Sequence, residues 1–226
     1  MEQRKFLLCL ILALLAASGP AKTVNADSPF DFYYLILMWP GAYCTDSEYG
    51  CCVPKYGYPS EDFFVKSFMT FDSSENTAVV RCNSDNPFDI NKLDSIENNL
   101  NHYWSNIKCP RTDGVNSWKS EWNSYGVCSG LKELDYFKAG LQLRKSADIL
   151  SALAEQGVQC RDGPFGKKQL HEIYLCVDKD AKSFIDCPVL PNLSCPAEVL
   201  FHPFHTWMLN TTSAANIVMP TETVLA

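Results

Sequence analysis

Histidine is scarce in this chain: four in 226 residues, at positions 102, 171, 202 and 205. No two cysteines stand in a C-x-x-C spacing. Both shortages argue against a metal centre, because zinc ligands usually come as closely spaced Cys and His pairs. Nothing in the sequence implies a cofactor. Long apolar runs are missing as well. The longest, Phe6 to Ala17, has twelve residues, and a membrane-spanning helix needs about 20. Internal repeats, low-complexity tracts and interdomain linkers are absent, which excludes solenoids and bead-like domain arrays. Cations are in short supply too: 19 Lys and Arg stand against 26 Asp and Glu.

What is present first marks the start of the chain. Arg4 and Lys5 precede the apolar run, and Val24-Asn25-Ala26 puts small residues at a cleavage point. Residues 1–26 therefore read as a secretory signal peptide, and the destination as extracellular or vacuolar. The remaining chain carries 16 basic and 25 acidic side chains, a formal charge of −9. Such a field repels phosphates, so RNA or nucleotide is expected to bind at most weakly, and neither DNA nor a membrane is an expected partner. A protein partner is left open. Ten cysteines follow the signal, an even count that reads as five disulfides in an oxidising compartment, with the pairing open at this point. Asn192-Leu193-Ser194 and Asn210-Thr211-Thr212 are glycosylation sequons for a secreted chain.

The apolar pattern changes period along the chain. Asp31 to Trp39 is a continuous apolar run between Pro29 and Pro40, expected of a strand buried on both faces, and Phe63 to Phe71 is a second strand. Ile90, Leu93, Ile96, Leu100 and Tyr103 recur every three or four residues, predicting a helix over 89–104. The same spacing predicts a helix over 135–154, with Gly157 as its stop. Ile173, Leu175 and Val177 alternate, and Ser183 to Cys187 can pair with them as a hairpin. Strands, then helices, then strands again indicate an α+β domain.

Specific motifs sharpen this. Trp118-Lys119-Ser120-Glu121-Trp122-Asn123-Ser124-Tyr125-Gly126-Val127-Cys128 resembles the second signature of the T2-type acid ribonucleases, W-S-H-E-W-x-K-H-G-x-C. Trp39-Pro40-Gly41-Ala42-Tyr43-Cys44 is similar to that family's strand and turn W-P-G-S-Y-C, and Cys51-Cys52-Val53-Pro54 to its C-C-Y-P. Asn86-Pro87-Phe88-Asp89 resembles the entry to its first long helix, and Tyr174 to Asp178 with Phe184 to Pro188 its closing strands. The likeness runs from Asp31 to Phe204, placing the domain at 27–204 and leaving 205–226 as a C-terminal extension. It implies a central, mainly antiparallel sheet with packed helices. It also implies the pairs Cys44–Cys51, Cys52–Cys109, Cys82–Cys128, Cys160–Cys195 and Cys176–Cys187. Two departures accompany it: a shortened segment before Cys160, and the chain beyond Phe204.

The resemblance also shows what has changed. Family members cleave RNA by letting the ribose 2′-hydroxyl attack the adjacent phosphorus, which requires one group to take a proton and another to give one. Histidine serves both roles, since its pKa of ~6.5 populates both forms. The first signature, H-G-L-W-P, falls on Lys66-Ser67-Phe68-Met69-Thr70, so Lys66 stands where a histidine is expected. In the second signature Ser120 and Tyr125 replace histidines and Ser124 replaces a lysine, leaving Glu121 as the surviving acid/base group. An ordinary lysine, at ~10.4, is protonated at pH 6 and cannot act as base, and a phenol near ~10 is a poor shuttle. Met38 and Ser117 take the places of a family glutamine and aromatic, so base recognition is reduced as well. Trp118 either stacks a base or packs in the core. The reading that follows is a secreted ribonuclease-like fold without catalysis, used for storage, defence or binding. Its rivals are an active endonuclease forming 2′,3′-cyclic phosphates and a protein that binds RNA or nucleotides without cleaving them.

Overall fold

A computed structural model describes residues 30–46, 50–83, 85–109, 113–157, 169–191 and 199–210. The signal segment, Asn192, and the pair Cys160 and Cys195 lie outside them. The elements in chain order are β1 (Phe32–Met38), α1 (Pro40–Asp46), β2 (Cys51–Cys52), β3 (Phe64–Asp72), β4 (Thr77–Ala78), α2 (Glu97–Tyr103), α3 (Val115–Ser124), α4 (Glu133–Ala147), α5 (Ile149–Glu155), β5 (Glu172–Asp178), β6 (Phe184–Ile185) and β7 (Leu209–Asn210). The main sheet has the order β4-β3-β1-β5-β6, antiparallel throughout. This is the expected α+β architecture.

Central placement explains why β1 is an unbroken apolar run: all seven of its residues are buried. Tyr33, Leu35 and Leu37 pack into the main core with the helices, whereas Phe32, Tyr34 and Ile36 join Cys176 on the opposite face. Alternating side chains of a strand enclosed on both faces leave no position for a polar residue.

Both helix expectations need correction. Over 89–104 the chain forms a 3-10 turn at Ile90–Leu93, capped by the Asp89 side chain, and then α2. Asp94 and Ser95 favour turns, and the break still delivers Leu93, Ile96, Leu100 and Trp104 to the core. Over 135–154 the expected single helix is divided at Asp148, whose left-handed backbone (φ 40°) ends α4 and starts α5. Asp tolerates that conformation better than most L-residues. Arg144 and Lys145 in the last turn and Glu133 and Asp135 in the first complement the dipole of α4. Gly157, with φ 73°, follows the end of α5. The turn expected after Trp39 is a short helix, begun by Pro40 at a position where the missing N–H costs nothing. Gly41 sits so close beneath the His202 carbonyl that an added Cβ would lie 2.5 Å from its oxygen.

Four disulfides match the pairing implied by the resemblance: Cys44–Cys51, Cys52–Cys109, Cys82–Cys128 and Cys176–Cys187. The second and third close loops of 57 and 46 residues, each contributing about 2–4 kcal/mol by restricting the unfolded chain. The packed chain continues beyond residue 204: Leu209 is buried, and β7 pairs in parallel with β2.

Candidate functional site

The site begins at an irregularity in the sheet. Ile36 pairs with Ser67 and Leu37 with Val65, so Lys66 is an extra residue without a partner on β1. Such a bulge re-aims a side chain and commonly stands beside a functional site. Lys66 is half exposed and forms an ion pair with Glu172 of β5. The second carboxylate oxygen of Glu172 accepts a hydrogen bond from the Tyr174 hydroxyl at 3.0 Å. Burial, then the neighbouring charge of Glu172, raises the Tyr174 phenol to about 12. The Lys66 cation is thus answered by a carboxylate from within the sheet.

Helix α3 packs behind β3 and places Glu121 against it. Its Oε1 accepts from the Phe68 backbone N–H at 2.6 Å and the Ser67 hydroxyl at 2.9 Å. The Tyr136 hydroxyl of α4 lies 3.1 Å from the same oxygen but only 2.5 Å from the Phe68 carbonyl. The phenol proton is shared between these two acceptors, so Tyr136 is a donor to Glu121 as well as to the Phe68 carbonyl. Burial raises the Glu121 carboxyl to about 7, against the lowering effects of the Phe68, Ser67 and Tyr136 bonds. No cation contributes to that balance.

The other positions of the second signature divide between surface and core. Ser120 is exposed, and Ser124 and Tyr125 are half-buried. Burial and then Glu121 raise the Tyr125 phenol, making it a weaker acid at neutral pH. Trp118 is wholly buried and its indole N–H donates to the Trp104 carbonyl at 2.8 Å. It offers no ring face to a base, and its place is the core. Trp122 is equally buried, donating to the Asn86 carbonyl at 2.9 Å. A Cβ on Gly126 would stand 2.1 Å from the Trp122 ring, and Cys128 is tied to Cys82. The intact frame of the signature is therefore a packing unit.

A cleft of about 150 Å³ opens beside Lys66, with Met38, Tyr43, Trp104, Asn106 and Ser117 among its lining residues. Three positions that the motif comparison singled out, Met38, Lys66 and Ser117, meet in this cleft. Sequence reasoning missed Glu172, Tyr136 and Asn106. Tyr136 carries only the signal of a helix core position, and nothing near Glu172 in sequence marks its pairing with Lys66. No histidine among the described residues lines this cleft. His202 is buried beside α1, its carbonyl accepting from the Trp39 indole, while His205 stacks on Trp207. His171 uses its carbonyl to hold the Trp39 N–H, and His102 lies on α2. Among the described residues no group of three His, Cys, Asp or Glu is placed to hold a metal ion. Nor is any helix among them long and apolar enough to cross a membrane.

Residues 30–162 match the Ribonuclease T2 family. Ribonuclease 3 of Arabidopsis thaliana is 35% identical over 207 residues, covering 77% of this chain and 90% of that protein. A ribonuclease-like storage protein of Panax ginseng is 22% identical over 211 residues, covering 81% of this chain and 86% of that one. Among solved structures, RNase NT in complex with 5′-AMP superposes with a TM-score of 0.73 at 30% identity, covering 77% of this chain and 99% of its own. The sheet, the disulfide frame and the matched sequence together assign the chain to the ribonuclease T2 family.

Proposed function

We propose that this protein is a secreted or vacuolar member of the family that does not cleave RNA and serves a non-enzymatic role, storage foremost. The observation that carries the reading is the state of the proton-transfer positions. Lys66 is engaged by Glu172, Ser120 and Ser124 carry no imidazole or amine, and the Tyr125 phenol is raised by burial. Glu121 remains, but its carboxyl is bonded into the junction of β3 and α4. In-line attack by a 2′-hydroxyl needs a base and an acid on opposite sides of the phosphorus, each worth ~10²–10⁴-fold. The similarity to a protein named as a ribonuclease-like storage protein supports the storage role. Glycans on Asn192 and Asn210 belong to the same secreted reading.

Weak nucleotide binding fits the same geometry. RNase NT was crystallised with 5′-AMP. Here the cleft offers one cation already paired with an acid, so adenosine or guanosine monophosphate should bind no tighter than about 1 mM. Micromolar binding competed by RNA would favour a non-cleaving binder instead.

The test is cleavage of RNA between pH 4 and 8 by the purified protein and its variants. Unaltered protein should be inactive. Lys66→His with Tyr125→His should produce detectable cleavage, and adding Ser120→His with Ser124→Lys should raise it by restoring charge around the phosphate. Either single histidine should do little, because acid and base act on one displacement. Robust activity of the unaltered protein, surviving Lys66→Ala with Tyr125→Ala, would establish the active-endonuclease reading.

A further inference from the structure

A cavity of about 610 Å³ shares no lining residue with the cleft beside Lys66. It lies where the start of β3, α2 and the α4–α5 elbow meet. Strand alternation separates the two: Met38 lines the cleft and Leu37 the cavity. Leu37 and Phe63, both essentially inaccessible, form its floor, and Tyr103, Leu141 and Ile149 line it above. Its volume falls in the ~300–1,000 Å³ range of small-molecule sites, which combine apolar walls with a few placed polar groups.

Those polar groups are held in place. Arg144 is nine-tenths buried in the wall. Its Nε donates to the Phe63 carbonyl at 2.9 Å, its guanidinium stacks 4.2 Å from the Tyr103 ring centre, and it pairs with Asp62. Lys145, adjacent and exposed, contributes a second cation, and Asp148 at the elbow a second acid. Asp148 holds a left-handed backbone (φ 40°) at this point, and outliers of that kind cluster at ligand sites. The charged lining is therefore two cations and two acids around an apolar floor. A simple anion would meet Asp62 and Asp148, and a simple cation Arg144 and Lys145. Since Arg144 and Asp62 are paired with each other, a molecule carrying both charges close together, with an apolar body, answers Lys145, Asp148 and the floor.

We propose that this cavity binds a free α-amino acid with a bulky apolar side chain, its carboxylate toward Lys145, its ammonium toward Asp148 and its side chain on the Leu37–Phe63 floor. The site is independent of the cleft, so its occupation neither requires nor precludes RNA cleavage.

The experiment is saturation-transfer NMR and calorimetry on the signal-free full chain with L-phenylalanine. 3-Phenylpropanoate lacks the ammonium, phenethylamine lacks the carboxylate, and glycine lacks the apolar body. Phenylalanine should bind with a dissociation constant of about 1 mM or tighter, and each analogue at least about tenfold more weakly. Lys145→Met and Asp148→Asn should each weaken phenylalanine about tenfold, a loss that affinity arithmetic makes easy to measure. Asn accepts the left-handed backbone, so the second variant keeps the elbow. Leu141→Trp should abolish binding by filling the cavity, with circular dichroism confirming that the variant is folded. Absence of phenylalanine binding at about 10 mM, far above the expected constant, would overturn the proposal. Equal binding of the singly charged analogues, or affinity unchanged in the charge variants, would overturn it too.

Discussion

Glu121, against β3, and Glu133, against the 3-10 turn at Ile90–Leu93, are both buried carboxylates, and they are held in different ways. Glu133, at the start of α4, accepts from the Asp89 N–H at 3.0 Å and faces the Lys92 ammonium at 3.3 Å. Glu121, on α3, meets only neutral donors: Ser67, the Phe68 N–H and Tyr136. Burial is the leading effect on both and raises both, but Lys92 works against it at Glu133 and no cation does so at Glu121. An acid that has kept its counter-charge behaves as a structural cap. One without a cation is held by neutral donors alone, and burial moves its titration up toward neutral pH, which makes the junction around β3 sensitive to pH.

Removing the acid should separate the two most strongly. Glu121→Ala leaves a void and orphans the Phe68 N–H and the Ser67 hydroxyl, so urea unfolding at pH 6 should show a loss of about 3 kcal/mol. A loss below about 1 kcal/mol would mean that water replaces the carboxyl and that the junction is looser than its hydrogen bonds imply.

The pH dependence comes next. The Glu121 carboxyl is raised from 4.5 to about 7 in the folded chain. Below the unfolded value both states hold the proton and its stabilisation is complete. As pH rises toward 7 the unfolded chain has already lost that proton, so stability falls by up to ~1.4 kcal/mol per unit, about 3 kcal/mol in total. Unfolding free energies at pH 5, 6, 7 and 8 should decline accordingly, and Glu121→Gln, which keeps an acceptor for Phe68, should flatten the decline. A slope unchanged in that variant would transfer the effect to another group.

Glu133→Gln should cost about 1 kcal/mol or less, because Lys92 is half exposed and an exposed partner is easily rehydrated. The same denaturation series should show most of the pH slope intact. Smallest of all, Lys66→Met should change stability by about 0.5 kcal/mol, since its ion pair with Glu172 stands open to solvent. A larger loss would show that the bulge depends on this pair.

Legibility differed between elements for physical reasons. The central strand was readable because a segment enclosed on both faces has no tolerance for polar residues, and β1 has none. The helices were readable as apolar spacing but not as continuous rods. Asp94-Ser95 and Asp148 break them while Leu93, Ile96, Leu100 and Leu143 still reach the core. Periodicity reports which side chains are buried and says little about the backbone between them. Gly41 and Gly126 show a related limit. Their close approaches, to the His202 carbonyl and to the Trp122 ring, are tertiary facts that a sequence records only as a small residue.

By itself, the sequence determined the order of the main strands and of the two apolar-periodic helical stretches, the class, and which chemical groups occupy the signature positions, while the cysteine pairing came through the family resemblance. Those depend on side-chain identity, spacing and burial along the chain. Only the tertiary structure decided that Lys66 is a bulged residue paired with Glu172, 106 positions away, and that Glu121 is bonded between β3 and α4. It alone showed Trp118 buried in the core, and Arg144 walled into a cavity apart from the cleft. Charges and hydrogen bonds act over a few ångströms of space, and the chain distance between the groups they join leaves no periodic trace for a sequence to carry.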